Sequence, residues 1–273
     1  TRVGHVVVER SGSEIYLRGK KTVKLSPFES VISILNQEED IAPAYDSFKR
    51  IIRSQFTESE VYSPSEFPEF SKMAKSKPRL EDVQESGMDS RLKIALVYQC
   101  IPDTFAKIKA RFIEVFPQVE DVRLEPEKQH GFPAFFEEYP LLQIKEKGVK
   151  DWIRQARISS GMYKTFMHIS EMFLWPSGTV VLIDEFENSL GINCIDVLTE
   201  DLLEENRRLQ FILTSHHPYI INNISPKYWK VVTRDGGVVS THDASALRLD
   251  SSSHTAFIQL INLEQYREGI TQK

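Results

Sequence analysis

The sequence predicts an α/β protein: a mostly parallel sheet flanked by helices, with an N-terminal β-hairpin and a helical subdomain ahead of it. Three observations carry this. Val180-Val181-Leu182-Ile183 and Phe211-Ile212-Leu213-Thr214 are continuous apolar runs bounded by turn residues, the pattern of strands covered on both faces of a parallel sheet. A helical stretch from about Cys194 to Leu203 separates them, giving the order strand, helix, strand. Ser159-Ser160-Gly161 opens a further helix that runs to about Trp175 and breaks at Pro176-Ser177-Gly178.

Upstream, His5 to Val8 and Glu14 to Leu17 flank Ser11-Gly12, the signature of a β-hairpin. Ser26-Pro27-Phe28-Glu29 reads as a helix start, with Ser26 as cap and Glu29 completing a capping box. Val31, Ile34 and Leu35 supply its apolar face, and a second helix is expected over about Tyr45 to Phe56. Residues 57–90 are rich in Ser, Glu, Lys and Pro, with few aliphatics, and read as a linker or mobile surface excursion with room for short helical pieces. Phe105, Ile108, Phe112, Val115 and Phe116 recur at helical spacing behind Pro102-Asp103. Val122 to Leu124 and Leu141 to Ile144 read as strands, Lys230 to Thr233 and Val238 to Ser240 as a second hairpin, and His254 to Tyr266 as a last helix. The expected organisation is therefore 1–56 hairpin and helices, 57–90 linker, 91–154 helical subdomain with short strands, and 155–273 α/β lobe.

The 273 residues carry 34 Lys+Arg against 39 Asp+Glu, a formal net charge of −5. This excludes a collagen-like or wholly disordered chain and a histone-like basic binder, and leaves room only for local basic patches. Arg18, Lys20, Lys21 and Lys24 form one such cluster, and Lys107, Lys109 and Arg111 another. Interleaved acids such as Glu114 and Glu120 make a solvated face the simpler reading than a DNA contact. The two cysteines, Cys100 and Cys194, lack metal or disulfide spacing. No apolar run approaches the length of a membrane span and no N-terminal stretch has the form of a signal peptide, so no membrane is expected and the cytoplasm is the default compartment.

Chemistry concentrates at the ends of the two apolar strands. Asp184 and Glu185 close the first, where a parallel sheet binds ligands. Adjacent carboxylates repel unless a cation or phosphate chemistry uses them. Asp184 would hold a water-shelled Mg²⁺, and Glu185 would orient and deprotonate an attacking water. Thr214-Ser215-His216-His217-Pro218 closes the second strand, and neighbouring strands would set His216 beside Glu185. His216 suits a hydrogen bond to a phosphate or to the attacking water; a two-histidine metal site is the rival reading. Ser159, Ser160 and Gly161 at a helix N-terminus could meet an anion, although serine capping alone is the commoner outcome.

Taken together, this order of motifs resembles the C-terminal half of an ABC-type ATPase head, most closely the RecF/SMC-like branch also described as AAA-type or OLD-like. Ile183 to Leu190 is similar to that branch's Asp-Glu-Pro-Glu-Asn-Gly-Leu pattern, and Thr214 to Pro218 to its Thr-Thr-His-Ser-Pro. The resemblance spans about Gln155 to Ile224. It implies that Asp184 is the Walker B aspartate and Glu185 the catalytic glutamate. Asn188, Ser189 and Leu190 would be the D-loop, and His216 the switch histidine. Ser159, Ser160 and Gly161 would be the signature that meets ATP on the opposite protomer. ATP and Mg²⁺ are the implied cofactors and an ATP-sandwiched homodimer the implied assembly. DNA or a separate nuclease subunit are implied partners, in DNA repair or anti-phage defence. Phe186 departs from the usual Pro, and Met162 and Tyr163 from the glycine and glutamine of transporter signatures.

No Gly-x-x-x-x-Gly-Lys-Ser/Thr occurs in the 273 residues. The resemblance therefore implies that the phosphate-binding lobe lies upstream of Thr1, and that this chain alone is inactive. A non-catalytic scaffold or regulatory module is the alternative. A Gly-x-Ser-x-Gly nucleophile elbow, which an α/β hydrolase would need, is absent.

Overall fold

The computed structural model describes residues 5–26, 28–54, 64–126, 140–188, 190–203, 208–247 and 249–263. The chain opens with three antiparallel strands, β1 (Val8–Ser11), β2 (Glu14–Leu17) and β3 (Lys20–Lys24), in that spatial order. Ser11 pairs with Glu14 across a two-residue loop in which Gly12 takes φ +61°, a conformation that favours glycine. The expected hairpin thus gains a third strand, built from the lysine cluster. Lysines on an edge strand discourage pairing with foreign strands.

The helix expected from Ser26 begins later, as α1 (Val31–Ile34), capped by Ser30. Arg10 explains the delay. Its guanidinium binds the Ser26 and Glu29 carbonyls at 2.7 and 2.9 Å, oxygens that a helix through this point would turn to its own amides. The predicted box survives only as a turn, with the Ser26 amide donating to the Glu29 carboxylate at 2.9 Å. Pro27 lies outside the described residues.

The second helix also differs. α2 (Ala42–Lys49) stops before Arg50, and Ile51–Ser54 forms β4. Ile51 and Ile52 are β-branched, and the segment pairs parallel with β8 (Val180–Ile183), Ile51 opposite Val180 and Ser54 opposite Ile183. A strand partner 129 positions away in the chain overrides the local helical period.

Residues 57–90 are not a linker where they are described. α3 (Phe67–Ser76) and α4 (Leu80–Glu85) occupy most of its described part, residues 64–90, and Phe70, Val83 and Met88 are buried in the main core. α5 (Ser90–Cys100) and α6 (Pro102–Val115) follow, then antiparallel β5 (Val119–Pro126), β6 (Pro140–Glu146) and β7 (Ile153–Arg154). α7 (Ser160–Leu174) packs on α6, with the Phe112 and Phe166 rings edge to face at 5.4 Å. One hydrophobic cluster runs from Phe70 to Ile220, so the boundary expected at 154 does not divide the packing.

The central sheet is parallel, in the order β4, β8 and β9 (Gln210–Leu213), with α8 (Ile192–Leu203) between β8 and β9 in sequence. Ser54, Val181 and Ile183 are buried on one face. Ile51 and Ile212, on the other face, are 41% and 54% exposed. The expected cover on both faces is therefore absent among the described residues. α9 (Pro218–Asn223), the hairpin of β10 (Lys230–Asp235) and β11 (Val238–Asp243), and α10 (Ser253–Asn262) complete the described fold.

Two buried titratable groups of α7 oppose each other in their effect on stability. Burial raises the Glu171 carboxyl to about 7, against hydrogen bonds from Ser90 and Ser54, and burial lowers His168 to about 3. Folded Glu171 keeps a proton that the unfolded chain releases near 4.5. Its contribution therefore erodes stability as pH rises from there to about 7, by roughly 3 kcal/mol. Folded His168 excludes a proton that the unfolded chain takes up near 6.5, so stability is lost as pH falls below that value. Between these limits the two slopes offset. Urea midpoints of Glu171→Gln are expected to fall more steeply with acid than those of the wild type across that window. Identical slopes would remove Glu171 from the balance.

Candidate functional site

β8 and β9 end side by side, and the loops that leave them are tied together. The Thr214 hydroxyl donates to the Asp184 carboxylate at 2.6 Å and accepts the Glu185 amide at 2.8 Å. The Phe186 amide donates to the Thr214 carbonyl at 3.0 Å. Glu185 sits at φ +48°, the left-handed region that a non-glycine residue occupies at a cost of about 1 kcal/mol. Asp184 and Glu185 are exposed, whereas Phe186 between them and Glu187 is buried, its ring edge-to-face with His168 at 5.5 Å. A buried anchor thus fixes a strained turn that presents two carboxylates to solvent.

Glu187 extends the link to the second loop. Its carboxylate accepts the His216 amide at 2.7 Å. Burial pushes the Glu187 carboxyl up, but the His216 amide, the Ser215 hydroxyl and the charge of His216 outweigh it and hold the group below the usual glutamate value. Asn188 Nδ2 donates to Glu185 Oε2 at 3.3 Å, and the Leu190 amide to the Glu187 carbonyl at 3.0 Å. Ser189 lies outside the described residues. His217 is committed elsewhere, because its Nδ1 accepts the Tyr219 amide at 3.3 Å and caps α9. That removes the paired-histidine metal reading, and no cluster of three or more His, Cys, Asp or Glu suited to a metal occurs among the described residues.

Asp184, Glu185, Asn188 and His216 are therefore gathered at one edge of the sheet. Ser159, Ser160 and Gly161 are not. Ser159 caps α7 through the Met162 amide at 3.3 Å. His168 touches Phe186 beside the acids, and Ser160 lies eight residues further toward the helix start, about 12 Å along its axis. Ser159→Ala is expected to lower stability by about 1 kcal/mol through the lost cap, read as a shift in urea midpoint.

Thr214 and Glu187 are the residues that sequence reasoning passed over. Both stood inside recognised motifs, but their role depends on the register of β9 against β8 and on the paths of the two loops, which one sequence does not state. The basic clusters are largely neutralised within the chain: Arg18 pairs with Asp40, Lys21 with Glu14, Lys109 with Asp121, and Arg111 with Glu114 and Asp201. No helix among the described residues is long and apolar enough to cross a membrane.

The family comparison gives the class: an AAA domain. The chain belongs to the family described as "AAA domain, putative AbiEii toxin, Type IV TA system", whose family model matches residues 33–222. Solved structures are similar as well, three of them as follows. One, from work on ATP-driven dimerization and DNA-stimulated activation of SMC ATPases, is 19% identical and covers 60% of this chain and 97% of its own, with a TM-score of 0.41. An SMC head bound to the C-terminal winged-helix domain of ScpA is 15% identical over 86% of this chain and 66% of its own, TM-score 0.46. A Pyrococcus furiosus Smc head with extended coiled coil, bound to the C-terminal domain of ScpA, is 17% identical over 80% and 49%, TM-score 0.39. This chain thus spans about two thirds of the second structure and half of the third. No curated protein sequence matches it.

Proposed function

We propose that this chain is the catalytic half of an ATP-hydrolysing head that becomes complete when a phosphate-binding loop joins it. The observation that carries the reading is the hydrogen-bonded junction of the β8 and β9 ends, where Thr214 orients both Asp184 and Glu185 and Glu187 holds the backbone of His216. In this reading Glu185 takes a proton from the attacking water. Its strained backbone and the Asn188 contact hold the carboxylate ready for that proton. His216 donates a hydrogen bond toward the γ-phosphate region.

Exposed carboxylate oxygens suit Mg²⁺, which keeps most of its waters and takes one or two protein carboxylates together with phosphate oxygens. Asp184 would hold it through water, one of its oxygens being engaged by Thr214. Bound there, Mg²⁺ would neutralise charge on the phosphates.

The span of about 12 Å along α7 between the level of the acids and the Ser159–Gly161 turn favours that turn acting on the site of a second copy, in a homodimer closed by ATP. A phosphate-binding strand could add at the outer edge of β9, which has no partner strand among the described residues. The family's description names a toxin of a Type IV TA system, which favours a defence setting over DNA repair, with any nuclease a separate subunit.

The test is to express the chain together with a polypeptide carrying a strand, Gly-x-x-x-x-Gly-Lys-Ser/Thr and a helix, and to measure phosphate release from ATP. Hydrolysis that needs both parts is expected. A stable complex that binds ATP without turnover would instead favour the scaffold role.

A further inference from the structure

A cavity of about 480 Å³ opens beside the C-terminal end of β4, between that strand, the turn before α5, and α7. None of Asp184, Glu185, Glu187 or His216 lines it. Four cations do, Arg53, Arg91, Lys93 and Lys164, against two carboxyls, Asp89 and Glu171. Arg91 is held by Asp89 at 2.8 Å. The Lys93 ammonium has three donors and gives one to the Gln84 carbonyl at 2.8 Å. Burial lowers its pKa from the ordinary lysine value, opposed by the nearby Glu171 carboxyl. Arg53 and Lys164 make no ion pair among the described residues. Glu171 is bound by the Ser54 hydroxyl at 3.1 Å and faces Asp89 and Lys93.

The balance of charge therefore favours an anion, and three of the cations stand on three different elements around one space. The volume lies within the range of small-molecule pockets and exceeds what a bare phosphate fills. The rest of its wall is mixed: Ile52, Met88, Met167, Leu174 and Trp175 form an apolar part, and Ser54, Ser86, Ser90 and Tyr163 a polar one.

We propose that this cavity binds a phosphorylated small molecule, the phosphate held by Lys93, Arg53 and Lys164 and the uncharged part lying against Met167 and Trp175. The site shares no residue with the acids at the β8 end, and the proposal does not rest on the ATPase reading.

Isothermal titration of the chain with ribose 5-phosphate and with inorganic phosphate tests it. Ribose 5-phosphate is expected to bind more tightly than phosphate. The double variant Arg53→Gln, Lys164→Gln alters accessible side chains and should weaken that binding at least about tenfold. Lys107→Gln, on the exposed side of α6, should leave it unchanged. Glu171→Gln removes a facing negative charge and should tighten binding at pH 8, which a purely structural role would not do. No binding of either probe, equal affinity for the two, or affinity unaffected by the double variant overturns the proposal.

Discussion

Glu185→Gln is expected to lower ATP hydrolysis by about 10² to 10⁴-fold in the head assembled with its phosphate-binding loop, while ATP-dependent pairing of heads persists. The range is that of a removed general base. The amide keeps the shape of the side chain and can still contact Asn188, so the backbone turn at φ +48° should survive. On the proposed reading, what disappears is the acceptor for the proton of the attacking water. Binding and chemistry should therefore separate: ATP affinity, measured by titration, stays near wild type, and single-turnover hydrolysis collapses. If hydrolysis is unaffected, Glu185 is not the base and the reading of the β8 end fails. If ATP binding is lost as well, the residue supports the turn rather than the chemistry.

The second large effect is on stability. Phe186→Ala should destabilise the chain by about 3–5 kcal/mol, the usual cost of emptying a large aromatic site. Phe186 is 1% exposed and packs in the core that joins α7 to the sheet. Its ring meets His168, and its amide donates to Thr214. The truncation therefore opens a cavity beneath the two exposed acids. Urea denaturation reads the loss directly. Phe186→Leu keeps part of the volume and should lose less. Equal midpoints for wild type and Phe186→Ala would mean that the turn is not anchored through this ring. The similar family pattern has Pro at this position, which could not donate the amide hydrogen bond to Thr214; here a phenyl ring and an amide share the anchoring.

Much of the α/β lobe was legible because its signals are local. The apolar runs of β8 and β9, the capped start of α7 and the spacing of Phe105, Ile108 and Phe112 each depend on neighbours within a few residues. β4 was not legible. Ile51-Ile52 follows a helical pattern, and only the pairing with Val180 and Val181 makes it a strand. The helices of 64–85 were hidden by composition. Their serines, lysines and glutamates dominate the segment, yet Phe67, Phe70, Met73 and Ala74 recur at the three and four spacing of one buried face. At the candidate site, Asp184, Glu185 and His216 could be read from motif order. The bonds that tie them, through Thr214 and Glu187, arise from the register of the two strands and the paths of their loops and so were not visible. Nor was the cavity beside β4, whose charged residues come from three elements distant in sequence.

The open side of the sheet bears on how the isolated chain behaves in solution. β9 has no neighbour on its outer edge among the described residues, and Ile212 beside that edge is 54% exposed. An unpaired strand edge next to exposed apolar surface is a template for pairing with other chains. Colloidal behaviour should therefore report on that edge: the chain by itself is expected to self-associate as concentration rises, and a strand bound at the β9 edge is expected to keep it monodisperse.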